Sequence, residues 1–212
     1  MDSKNAGISL LLAMALIIFT MVLHPAGGSV EYLQKISRRI VLTHSIAIMA
    51  LPFAALGFWG LTQLLGVNRF LPIAAFAFIM MGLIAVMIAA VTNGLILPIF
   101  IQRYYDAAPG TIESFRLILK YIASMNAAFD YVFAGASSVS ILLWSVFILI
   151  KKTLPVITGY LGILLFLFIG YMMISELGLT NLLGFRIFTF GVSLWFILVG
   201  IQLMKAGNSL HD

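Results

Sequence analysis

Seven residues could do chemistry where water is scarce: His24, His44, Asn93, Asn126, Asp130, Glu176 and Arg186. They lie in or at the ends of long apolar runs, where polar or ionisable groups are costly and therefore mark helix contacts or function. Imidazoles exchange protons near neutral pH and ligate metals. The carboxylates of Asp130 and Glu176 accept protons or cations, and the two amides supply donors and acceptors. His24 and His44 with Asp130 or Glu176 have the ligand types of a zinc site, although no spacing imposes one. A haem held by two histidines would use His24 and His44, both near one interface, and neither sits in a recognisable motif. No cofactor is predicted.

Position along the chain says more than residue type. Apolar runs long enough to cross a bilayer lie at about 8–23, 45–65, 71–99, 127–150, 154–174 and 182–204. His24 closes the first run and His44 opens the second. Asn93 is late in the third, Asn126 and Asp130 open the fourth, Glu176 follows the fifth and Arg186 is early in the sixth. With alternating direction, all seven fall near one membrane face. The opposite end offers Thr62, Gln63 and boundary charges. A polar pocket is therefore expected at the end that carries the connections after spans one, three and five. Asn126 and Asp130 are four apart, and their stripe continues through Ala134 to Ser137 and Ser138, a face of small and polar groups suited to close helix packing. Arg186 or His44 is the expected partner of Asp130.

The elements that must hold these residues follow from composition. Of 212 residues, 63% are hydrophobic and 9% charged, against roughly a quarter charged in a typical soluble domain. Such a chain cannot cover its own surface in water, so its solvent is lipid. The runs are apolar all round rather than alternating, which indicates helices and not barrel strands. The expected fold is all-α: one integral membrane bundle of six transmembrane helices. Lys4, the first apolar run and Ala26-Gly27-Gly28 imitate a signal peptide, but the long run and five further spans favour retention of the segment.

Two connections are longer than turns. Val30–Thr43 and Thr111–Met125 have helical periodicity with charges on one side: Glu31, Gln34, Lys35 and Arg38 in the first, and Glu113, Arg116, Lys120 and Ser124 in the second. They are expected as amphipathic extensions before helices two and four. Aligning Glu31 with Glu113 brings Arg38 onto Lys120 and His44 onto Asn126, and nearly the same offset pairs Leu71-Pro72 with Leu154-Pro155. A parallel repeat of 30–99 in 112–174 is the corresponding expectation. Pro52 and Pro98 are expected to kink the second and third spans.

Several function classes drop out. Cysteine is absent, which removes disulfides, thiolate metal sites and thiol nucleophiles. The sequence has no Gly-rich phosphate loop, Gly-x-Ser-x-Gly elbow or His-Glu-x-x-His motif. The net charge of +5 is explained by basic residues at lipid headgroups, and no basic stripe indicates nucleic acid as a partner. Seven basic residues flank the polar end (Lys35, Arg38, Arg39, Arg103, Arg116, Lys120, Arg186) and five the other (Lys4, Arg69, Lys151, Lys152, Lys205). That margin favours both termini outside.

In overall hydropathy and in its closing Ser193-Leu194-Trp195-Phe196 span, the chain resembles six-span proteins of bacterial inner membranes. The resemblance implies that location and carries no function. The favoured reading is a non-enzymatic binder, sensor or transporter-like protein, with the lipid bilayer and a small-molecule or lipid ligand as partners. The alternatives are a metal- or haem-dependent enzyme on a lipid-soluble substrate, with His24 and His44 as ligands, and a structural subunit of a membrane complex.

Overall fold

Hydrocarbon offers a backbone no hydrogen-bond partner, so each long apolar run has to satisfy its own amides, and each forms a helix. A computed structural model describes residues 2–25, 27–104, 111–175, 178–179 and 181–208, with the backbone alone for 111–113 and 208. Its helices are α1 (Ser3–Leu23), α2 (Val30–Lys35), α3 (Ser37–Leu65), α4 (Phe70–Val91), α5 (Leu97–Tyr104), α6 (Thr111–Lys151), α7 (Val156–Ile174) and α8 (Leu182–Asn208), with a π-helical turn, Thr92–Ile96, joining α4 to α5. Six helical stretches are long and apolar enough to cross a membrane, α4, the π turn and α5 together forming the third.

Local chemistry sets the boundaries. The Asp2 side chain caps α1 by accepting from the Lys4 amide, and Ser29 caps α2 by accepting from Tyr32. Gly66 ends α3 at a φ of 121°, a region closed to most side chains. Pro155 stands just before α7, where a missing N–H costs nothing.

The third span departs from expectation. It runs on to Tyr104, and the irregularity expected at Pro98 lies in the turn before it. A proline ring at 98 would collide with the carbonyl of Gly94 in a regular α-helix. The chain widens by one residue instead, and the Leu97 amide bonds to Thr92, five residues back.

The spans pack as a closed ring in the order α1, α3, α4, α6, α7, α8 and back to α1. Phe58, Trp144 and Phe196 fill its axis, Phe58 lying 4.5 Å from Phe196 and 5.8 Å from Trp144 between ring centres. Small residues allow close approach where helices cross: a Cβ on Gly7 would meet the Gly200 carbonyl, and one on Gly82 would meet Ala136 and Phe133. Leu164, Leu167 and Ile174 on α7 face outward, as lipid-facing side chains do.

At 1.5 Å per residue, the 41 residues of α6 span about 60 Å, twice a hydrocarbon core of roughly 30 Å. About half of its length is therefore surplus to the hydrocarbon, and its first half carries most of its charged residues. There Phe115 and Ile122 pack with Leu97 and Ile101, flanked by Val30, Leu33, Phe100 and Leu119. Arg116 and Lys120 on α6 and Glu31 and Lys35 on α2 stay exposed. The two extensions thus meet α5 in a small cap over the polar end of the ring.

Candidate ligand-binding chamber

Beneath that cap is a cavity of about 390 Å³. Each helix contributes one face at helical spacing: Thr20, Met21 and His24 from the end of α1; Ile40, His44 and Ala47 from α3; Val86, Ala89 and Ala90 from α4, with Asn93 in the π turn; and Ala123, Asn126, Ala127 and Asp130 from α6. Leu182 and Phe185 of α8 close another wall. Gly27, Ala123 and Asn181 are solvent-accessible and mark its mouth.

Depth is set by helix length. His24 lies 21 positions after Ser3, His44 21 before Leu65 and Asp130 21 before Lys151. Each therefore sits about 31 Å from the far end of its helix, one hydrocarbon thickness. Three side chains from three helices thus stand equally far along their helices from the opposite end.

A hydrogen-bonded chain crosses from the π turn to α6. Asn93 Nδ2 donates to the Ala89 carbonyl at 3.2 Å and to Asn126 Oδ1. Asn126 Nδ2 donates onward to Asp130 Oδ2 at 2.9 Å. The partner of Asp130 is thus Asn126, one turn before it on the same helix, and neither Arg186 nor His44 as the sequence had suggested. An i, i+4 neighbour is already in reach, whereas Arg186 is turned elsewhere.

The histidines are held alike. His44 Nδ1 bonds the Ile40 carbonyl at 2.8 Å, and His24 Nδ1 bonds the Pro25 carbonyl at 3.0 Å. A carbonyl can only accept, so Nδ1 carries the proton and Nε2 of each neutral ring keeps its lone pair. The ring centres are 5.0 Å apart at 58°; rings in contact leave no gap for a porphyrin between them. Burial, reinforced by the neighbouring His44, pushes the His24 imidazole down to about 4. Among the described residues no group of three His, Asp or Glu converges as metal ligands.

Arg186 does not line the chamber. Its Nη2 donates to the His24 carbonyl at 3.0 Å, while Arg39 Nε donates to the Leu23 carbonyl at 3.0 Å. Two guanidinium groups thus close the open carbonyl end of α1 and hold His24 in position. Glu176 lies outside the described residues. No sequence motif singles out Gly94, yet a Cβ there would overlap the Cβ and ring of His44. Proline four residues on was the available signal.

No family model, curated protein or solved structure matches this chain. Geometry alone carries the functional argument.

The other end of the bundle is less barren than its sequence implies. Trp195 Nε1 donates to the Thr158 carbonyl at 3.0 Å and Gln202 Nε2 to Thr158 Oγ1 at 2.6 Å. Gly162 lies against Ser145 and Trp195. These residues come from α6, α7 and α8 and form a polar seam, so their spacing in sequence hides it.

Proposed function

We propose that this six-span membrane protein binds a small amphipathic molecule in the chamber at the polar end of its ring, as a receptor-like or transporter-like component and not as an enzyme. One observation carries the reading. Polar groups from α1, α3, the π turn and α6 converge on a cavity otherwise walled mostly by alanines and aliphatic side chains. Binding sites take this form: mostly apolar walls, with a few polar groups that fix orientation. Alanines at 47, 89, 90 and 127 create the space, since larger residues there would fill it.

Photolabelling in nanodiscs with a medium-chain alcohol bearing a diazirine tests the reading. Labels are expected on the chamber faces of α3, α4 and α6, and they should disappear in Ala90→Met and Ala127→Met. Labelling confined to lipid-facing Leu164 and Leu167 and indifferent to both substitutions would sink it. A bacterial inner membrane is the proposed location, from the resemblance in hydropathy and closing span, and cell fractionation checks it.

A further inference from the structure

If the chamber is a binding site, its unused hydrogen-bonding capacity is one-sided. Both amide hydrogens of Asn93 are engaged, by Ala89 and Asn126, and Asn126 gives one of its two to Asp130. Both imidazoles donate from Nδ1 to backbone carbonyls. Among the described residues, what these five side chains leave open is Nε2 of His24, Nε2 of His44, Oδ1 of Asn93 and Oδ1 of Asp130, four acceptors, against one N–H of Asn126.

Charge points the same way. Asp130 is only 8% exposed, and among the described residues its hydrogen-bond partner is a neutral amide and no lysine or arginine pairs with it. A buried carboxylate without a cation is costly. The neighbouring guanidinium groups of Arg39 and Arg186 are turned to the carbonyls of Leu23 and His24.

We propose that the chamber's ligand is an organic cation, a primary or secondary amine carrying an apolar body. An ammonium has donors and no acceptor, which matches the unused groups, and its charge neutralises Asp130. Its apolar portion fits against Ala47, Ala90 and Val86. An anion would face a carboxylate and three neutral acceptors. A neutral alcohol brings a single donor. The inference rests on the chamber being a binding site.

The test is binding of tritiated 2-phenylethylamine to protein in phosphatidylcholine nanodiscs at neutral pH, with 2-phenylethanol as neutral competitor. Saturable amine binding is expected. Phenylethanol should compete at least about tenfold more weakly, a difference of roughly 1.4 kcal/mol. Asp130→Asn should lower amine affinity by about tenfold or more and narrow the gap between amine and alcohol. Asp130→Glu keeps the charge and should retain the preference for amine.

Equal competition by alcohol and amine, or unaltered amine affinity in Asp130→Asn, overturns the amine assignment. So does a lack of saturable amine binding. In each case diazirine–alcohol labelling still reports on the chamber separately, so the two readings fail independently. Loss of amine preference in both Asp130 variants also counts against the assignment, because position and not charge would then decide binding.

Discussion

Gly94 in the π turn lies flush against the imidazole of His44 on α3, so close that a Cβ at 94 would occupy the space of the His44 side chain. A widened turn of one helix thereby seats the ring of another. Gly94→Ala is expected to expel His44 and destabilise the protein by about 1–3 kcal/mol, the usual cost of overpacking. In a His44→Gly background, which removes the Cβ as well as the ring, the same change should cost under about 0.5 kcal/mol, because the collision has gone. Thermal unfolding in detergent of the four members of the cycle measures both.

The Asn93–Asn126–Asp130 chain should behave as one unit. Asn126→Leu strands a carboxylate and an amide together, with an expected loss of about 1–3 kcal/mol. Adding Asp130→Leu should restore part of that loss, giving a coupling of at least about 0.5 kcal/mol. Strict additivity of the two changes would show that the chain does not act as a unit.

Stability should depend on pH through His24. Its folded value is about 4 against an ordinary 6.5, so the unfolded chain binds more protons between those limits. Stability is therefore fully present above about pH 6.5 and declines as pH falls toward 4. His24→Gln should flatten the decline over that window. Thermal melts taken as a pH series give the slope directly.

The seam at the opposite end offers a control remote from the chamber. Thr158→Val removes the acceptor of Gln202 Nε2, and Gln202 Oε1 is already buried without a partner. A loss of about 1–3 kcal/mol is expected, with unchanged photolabelling of the chamber.

Much of this arrangement was legible in the sequence because a bilayer is a strict solvent. Apolar run length identified six helices, and alternating direction placed His24, His44, Asn93, Asn126 and Asp130 toward one end. Lateral contacts were not legible. Thr158 meets Trp195 and Gln202 across 37 and 44 residues, and nothing in hydropathy says which faces of α7 and α8 meet. Arg186 shared the right end, but its bond to the His24 carbonyl depends on where α1 stops. Residue type pointed to Arg186 or His44 as the partner of Asp130, although an amide one turn away satisfies it locally. Pro98 announced a disturbance in the third span, whereas the π turn that answers it, and the room it gives His44, belong to tertiary packing.

The 41-residue α6 is one rigid rod in two solvents. Its outer face changes from Arg116 and Lys120 to hydrocarbon-facing side chains near Asp130, which makes the helix a ruler for the edge of the bilayer. If the chamber binds an amphiphile as proposed, it meets that molecule near the depth where the molecule's own polar group resides when dissolved in the leaflet. For such a molecule the concentration that governs occupancy is its mole fraction in the lipid. Affinities expressed against the aqueous phase will shift with lipid volume even when the site itself is unchanged.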